Sequence, residues 1–153
     1  MKTISLLICS FVLVISAHAA APNTDVAANG NREDRAAHAG VRVALEHYLR
    51  GHATGDAAHM RKAFLPTAHI EGNRDGKFVS WSLDEYCALF TGTPAADEAK
   101  RVRTIESIDV SGDSAMAKAT LDHGNTVFTD YFVLLKVADE WKIANKVYSR
   151  RAK

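Results

Sequence analysis

The C-terminal half of the chain alternates between apolar and polar residues, and this period of two constrains the fold more than any other feature. From Arg101 onward the alternation runs through four segments, separated by turn residues at positions 111–113, 123–125 and 138–140. In the second segment Ala115, Ala117, Ala119 and Leu121 occupy every other position. Alternation of this kind is typical of strands with one buried face. The pattern therefore predicts four long antiparallel strands joined by short turns.

The residues before this sheet have helical periodicity instead. Apolar residues recur at helical spacing over positions 33–50, and Gly51 follows as a predicted stop. A second helix is predicted from Asp56 as far as Pro66, then two short strands at 68–72 and 77–81 around an Asp-Gly turn. Ser82 and Glu85 form a capping box that opens a third helix. The order predicts an α+β fold with three helices, a short hairpin and four long strands.

The first residues of the chain have the composition of a signal peptide. Lys2 precedes an apolar run over positions 4–15, and Ala17 and Ala19 are the small residues that precede a cleavage site. The run is too short to cross a bilayer, which takes about 20 apolar residues. We predict a signal peptide at 1–19, a flexible leader at 20–32 and one domain at 33–150. The mature protein is then expected in the periplasm or secreted, with no membrane anchor.

Charge and motif content exclude several classes of function. The chain has 19 Lys and Arg against 18 Asp and Glu, and cleavage would remove only Lys2, which leaves the mature chain balanced. A nucleic-acid-binding protein normally shows a basic excess, so we expect no nucleic-acid partner. None of the seven His forms a pair three or four residues apart on a predicted helix, which argues against a metal site. No glycine-rich phosphate loop is present, and no cofactor is expected.

Two stretches carry a resemblance to a known superfamily. The segments HYLRGHATGDAAHMRKAFLPTAHIEG (47–72) and FTDYFVLLKVADEWKIANKVY (128–148), in this element order, resemble the nuclear-transport-factor-2-like, or cystatin-like, cone-shaped superfamily. The second segment is similar to the subgroup described as putative lumazine-binding, in the same clan as SnoaL-like polyketide cyclases and ketosteroid isomerases. The resemblance implies a strongly bent, mainly antiparallel sheet wrapped around the long helix, with a pocket between the helices and the concave face. It leaves the chemistry open, because this fold hosts enzymes, ligand carriers and scaffolds.

The third long strand is apolar on both faces. Phe128, Phe132 and Leu134 lie on one face, while the other carries Val127, Val133, Leu135 and Val137. A sheet with one solvated face would expose that second row, so we predict a homodimer through the convex face. The alternative is that the long helix covers one face and a loop covers the other.

Asp130 interrupts the first apolar row, where a carboxylate is costly to bury without a partner. A two-residue turn at 138–139 would pair Phe132 with Asn145 and Asp130 with Val147, so that Asp130, Trp141 and Asn145 share a pocket wall. A three-residue turn would bring Tyr131 beside Asn145 instead. Asp130 is then either a general base or ligand anchor, or a structural ion-pair partner of Lys146 or an arginine.

Three further residues are candidates for the site. His69, on the first strand, is expected at the pocket mouth as a base or hydrogen-bond donor, or else as a satisfied, partly buried histidine. Tyr48 and Trp81 are either aromatic pocket walls or core residues.

Three functions remain open at this point. The first is an exported protein that binds a small apolar or aromatic ligand through Tyr48, Trp81, Asp130, Phe132, Trp141 and Asn145. The second is an isomerase-, cyclase- or dehydratase-type enzyme with Asp130 or His69 as its base, and whether the chain is an enzyme stays undecided. The third is a dimeric interaction module without a ligand.

Overall fold

The computed structural model describes residues 24–153, so the predicted signal peptide lies outside the described residues. It contains helices α1 (Thr24–Thr54), α2 (Ala57–Ala63) and α3 (Leu83–Cys87), and a 3-10 turn (Glu98–Lys100). The strands are β1 (Phe64–Arg74), β2 (Lys77–Ser82), β3 (Val102–Ser111), β4 (Ser114–Asp122), β5 (Thr126–Val137) and β6 (Glu140–Ala152). They form one curved, open sheet in the order β2-β1-β6-β5-β4-β3, and only β1 and β6 pair in parallel. The predicted α+β architecture is confirmed.

Helix α1 is longer than its amphipathic stripe. Val41, Leu45 and Tyr48 are fully buried at helical spacing, as predicted. In the described residues the helix already includes Thr24, inside the predicted leader. Gly51 does not end it. A Cβ at Gly51 would lie 2.7 Å from the Met60 methyl carbon, so this glycine instead allows α2 to pack closely against α1.

The hairpin and the two short helices follow their sequence signals. The Asp56 carboxylate caps α2 by accepting from the Ala58 amide, and the Ser82–Glu85 capping box opens α3. Strand β1 begins directly after α2 at Phe64, earlier than predicted, and contains Pro66. The β1–β6 ladder shifts register between Phe64 and His69, so the missing Pro66 amide interrupts no regular pairing.

The β5–β6 hairpin contains a bulge that the sequence did not predict. Its two-residue turn, Ala138 and Asp139, has positive φ at both positions, 47° and 67°, as a type I′ turn requires. Leu134 pairs with Ile143, but the register then shifts by one residue at Ala144. Beyond the bulge Phe132 pairs with Lys146, Asp130 with Tyr148 and Tyr131 with Val147. All three predicted pairings, Phe132 with Asn145, Asp130 with Val147 and Tyr131 with Asn145, are therefore wrong.

The two faces of the sheet have different environments. The inner face packs against α1 and carries a buried core from β4, β5 and β6: Ala115, Ala117, Ala119, Leu121, Phe132, Leu134, Trp141 and Ile143. The outer face carries a row of large apolar side chains that are 41–59% exposed: Met116, Tyr131, Val133, Leu135, Val137 and Val147. The predicted division of β5 into two apolar faces is confirmed, and the described part of the chain leaves the outer one uncovered.

Candidate ligand-binding cavity

A cavity of about 200 Å³ lies between the helices and the inner face of the sheet. Its walls are mostly apolar or aromatic: Ile70, Trp81, Tyr86, Leu121, Phe128 and Tyr148. The exposed side chains of Arg74, Leu89 and Arg150 mark its rim. An apolar concavity with a few polar groups is the usual form of a small-molecule site.

A buried polar network forms part of the cavity lining. The Tyr48 hydroxyl donates to Asp130 Oδ2 over 2.5 Å, and Lys146 Nζ donates to Asp130 Oδ1 over 3.2 Å. Lys146 Nζ also donates to the Tyr48 hydroxyl oxygen over 2.9 Å. Asp130 is 1% exposed and Lys146 is 4% exposed. Both groups are buried away from water. Removing either one would leave the other as an uncompensated buried charge, which is strongly destabilising.

Burial and the Asp130 carboxylate together shift the pKa values of Lys146 and Tyr48. Burial lowers the pKa of Lys146, and the neighbouring Asp130 carboxylate partly restores it. Burial raises the pKa of Tyr48 well above its usual value, and Asp130 raises it further, so Tyr48 remains a hydrogen-bond donor at all ordinary pH values.

Three tyrosine rings enclose the Lys146 ammonium group. Its Nζ lies 5.0 Å from the ring centre of Tyr48, 5.2 Å from that of Tyr148 and 5.4 Å from that of Tyr86. Contacts of this kind stabilise a desolvated cation. The Tyr148 ring lies over Gly72, where a Cβ would approach it to 2.6 Å, and is nearly parallel to Trp81 at 7°. Because Gly72 has no side chain, the Tyr148 ring can lie against β1 and form a flat aromatic wall of the cavity with Trp81.

Two histidines complete the lining. His52 Nε2 lies 2.9 Å from the Tyr86 hydroxyl oxygen, and its ring centre is 6.1 Å from that of His123. Burial, followed by the nearby Lys146, lowers the pKa of His52 well below its usual value. Burial, followed by Arg101, lowers the pKa of His123 as well. Both rings are therefore neutral at neutral pH.

Comparison with known proteins now assigns the family. The family model described as "Putative lumazine-binding" matches residues 36–149. The chain belongs to this family. No curated protein matches it in sequence.

Solved structures support the same assignment. A protein of unknown function from Shewanella baltica, described as nuclear-transport-factor-2-like, is 27% identical, with a TM-score of 0.68, over 76% of this chain and 94% of its own. A similarly described protein from Silicibacter pomeroyi is 27% identical, with a TM-score of 0.67, over 74% and 94%. One from Methylobacillus flagellatus is 29% identical, with a TM-score of 0.65, over 74% and 90%. The predicted nuclear-transport-factor-2-like superfamily is confirmed.

Three of the predicted site residues line the cavity of this family member: Tyr48, Trp81 and Asp130. The structural interpretation of Asp130, as an ion-pair partner of Lys146, is confirmed. Phe132 is buried with its ring centre 5.1 Å from that of Tyr48, in the core next to the cavity. Trp141 packs on Gly40 of α1 and does not line the cavity.

The predictions that Asn145 lies on the pocket wall and His69 at the pocket mouth are wrong. The bulge at Ala144 turns Asn145 to the outer face, and His69 lies beside it in the parallel β1–β6 ladder. The His69 amide donates to Asn145 Oδ1 over 3.1 Å, and Asn145 Nδ2 donates to Glu71 over 3.2 Å. His69, Asn145 and Glu71 are therefore linked by hydrogen bonds on the outer surface of the sheet.

The lining residues that sequence reasoning missed include His52, Tyr86, His123, Lys146 and Tyr148. Tyr86 lay in the predicted third helix and His123 in a predicted turn, so neither was marked as functional. Lys146 and Tyr148 were misplaced by the same one-residue shift that misplaced Asn145. Gly72 was the available signal, because a glycine inside a strand often marks the close approach of another group.

The described residues contain neither a membrane-crossing helix nor a metal-binding cluster. Among residues 24–153 no helix is long and apolar enough to cross a bilayer. Within the same range no three His, Cys, Asp or Glu side chains come together as a metal site would require.

Proposed function

We propose that the protein is exported and binds a small, planar, mostly aromatic molecule in the cavity. The observation that carries the proposal is an aromatic-walled cavity lined by the buried Tyr48–Asp130–Lys146 network. Aromatic rings provide stacking surface, and the fixed polar groups provide orientation. Export is supported by the sequence of residues 1–19, and small-molecule binding by the family description.

The volume of the cavity limits the ligand. An apolar cavity of about 150 Å³ accepts benzene, so one of about 200 Å³ suits one or two fused rings. Flavins and steroids, with three or four fused rings, would have to extend past the rim at Arg74 and Arg150. A two-ring pteridine such as lumazine is therefore the first compound to test.

The two tryptophans of the chain provide an internal control for that test. Trp81 lines the cavity, whereas Trp141 packs on Gly40 outside it. We expect lumazine to quench tryptophan fluorescence in the wild type and in Trp141→Phe, and to quench it much less in Trp81→Phe. Isothermal titration calorimetry on the same proteins would give the affinity. Absence of binding by lumazine and by other two-ring heteroaromatic compounds would overturn the proposal.

The geometry favours binding over catalysis by Asp130. Both carboxylate oxygens of Asp130 already accept hydrogen bonds from the protein itself, from Tyr48 and Lys146, so the carboxylate is engaged inside the buried network. His69, the other candidate base, lies on the outer face. An enzyme would instead show turnover that is lost in Asp130→Asn while the fold is retained.

We also propose that a second copy of the chain covers the outer face. Strands β4, β5 and β6 are 9, 12 and 13 residues long, and a stable dimer buries about 800 Å² on each partner. A groove between Met116, Val133 and Leu135 is open to receive a partner's apolar side chain. A symmetric pair of such faces would remove the exposed row from water.

Light scattering after size exclusion tests the dimer. We expect a dimeric mass for the wild type and a monomeric mass for Val133→Glu, because a carboxylate would be buried in the interface. Val43→Glu is the matched control, since Val43 is similarly exposed but lies on α1. A monomeric wild type, or a dimeric Val133→Glu, would contradict this interface.

A further inference from the structure

Two arginines lie side by side at the mouth of the cavity. Arg74 and Arg150 are both exposed, and both line the cavity. Strands β1 and β6 run parallel with Gly72 paired with Tyr148, and each arginine lies two residues further along its strand. Side chains two residues apart share one face of a strand, and neighbouring strands are about 4.8 Å apart. The two arginines are therefore neighbours on the cavity side of the sheet, where water and a ligand can reach them.

The hydroxyl group of Tyr148 belongs to the same cluster. Burial raises the pKa of Tyr148, whereas Arg74 and Arg150 both lower it, as cations close to a phenol do. Tyr48 and Tyr86 use their hydroxyl groups in hydrogen bonds within the cavity wall. Among the described residues the Tyr148 hydroxyl has no such partner. The mouth therefore presents one hydroxyl and two guanidinium groups to a bound molecule.

The positive charge at the mouth is only partly balanced. Arg150 pairs with the Asp75 carboxylate over 3.2 Å. No carboxylate in the described part of the chain lies within ion-pair distance of Arg74. Lys77, the cross-strand partner of Arg74, adds a further positive charge on the same face of the hairpin. The mouth thus has an excess of positive charge, which favours an anionic partner.

The interior of the cavity has no such excess. Asp130 and Lys146 neutralise each other there, and His52 and His123 are uncharged at neutral pH. An anionic group placed in the interior would lose its water without gaining a counter-ion. At the mouth it would keep part of its water and meet guanidinium groups, whose paired N–H donors match a carboxylate.

We infer that the ligand is a planar aromatic acid, with its rings in the cavity and its carboxylate at the mouth between Arg74, Arg150 and the Tyr148 hydroxyl. The inference rests on the proposed binding function and adds the charge of the ligand and the residues that select it. The Arg150–Asp75 contact does not prevent this, because an exposed ion pair contributes little and can exchange with the ligand.

The test compares quinaldate, a two-ring heteroaromatic carboxylate, with quinaldamide, its neutral amide of nearly the same shape. By isothermal titration calorimetry at neutral pH we expect the wild type to bind quinaldate about tenfold more tightly, the lower end of what hydrogen bonds to charged groups contribute. Arg74→Gln and Arg150→Gln should each lose part of this preference, and the double variant should bind both compounds equally. Arg151→Gln is the matched control, since it removes the same charge from an exposed neighbour that points to the other face.

Salt dependence provides a measurement on the wild type alone. Raising the NaCl concentration should weaken the binding of quinaldate and leave that of quinaldamide unchanged, because salt screens exposed charges. Equal wild-type affinity for acid and amide, or a preference that survives in the double variant, would overturn this inference, and binding of quinaldamide or lumazine would leave the proposed function standing. Failure to bind quinaldate, quinaldamide and lumazine would overturn both.

Discussion

The two halves of β6 place side chains of opposite parity on the inner face of the sheet. Before the bulge, Trp141 and Ile143 point inward and belong to the dry core. After it, Lys146 and Tyr148 point inward and line the cavity. One extra residue, Ala144, therefore separates a strand segment that belongs to the core from one that lines the cavity. The comparison shows how an otherwise regular hairpin can contain both, because a bulge restarts the alternation without breaking the strand.

Asp130→Ala tests the half beyond the bulge. It leaves the Lys146 charge buried and unpaired, so we expect a cost of about 3–5 kcal/mol in unfolding free energy. The double variant Asp130→Ala with Lys146→Met removes both charges and should recover most of that loss. If the single and double variants were equally unstable, the ion pair would not be the reason for the cost.

Acid should weaken the fold through the cavity histidines. The unfolded chain takes up a proton at His52 near pH 6.5, whereas the folded chain, with its lowered pKa, does not. Stability is therefore full above pH 6.5 and decreases as the pH falls below it. We expect a slope of about 1.4 kcal/mol per pH unit from His52 between pH 6 and 5, with His123 adding to it. Denaturation of His52→Gln at several pH values should give a smaller slope, and an unchanged slope would contradict the assignment.

Ile143→Val should have the smallest effect and tests the half before the bulge. It removes one buried methyl group from the core, at a cost of about 1 kcal/mol in unfolding free energy. Ligand affinity should not change, because Ile143 does not line the cavity. A change in lumazine affinity without a change in stability would contradict the separation of β6 into a core half and a cavity half.

The predictions that succeeded depended on signals local in sequence. Asp56, Ser82 and Glu85 cap their helices within three residues, and the Asp75–Gly76 and Ala138–Asp139 turns close within two. The helical turns of α1 before position 33 were missed because this part of the sequence has no apolar stripe. In the site, Tyr48 and Trp81 were identified as possible aromatic walls because of their side chains. Asp130 was identified because it interrupts an apolar row, where a carboxylate is costly to bury.

The sequence by itself determined the element order, the helix caps, the turns and the two apolar faces of β5. Only the tertiary structure decided which residues meet across the cavity. A bulge of one residue costs little locally and leaves no clear mark in the apolar pattern, yet it reverses the face of every later side chain. Asn145 is on the outer face, and Lys146 is the partner of Asp130, because pairing across β5 and β6 is set by packing of the whole sheet.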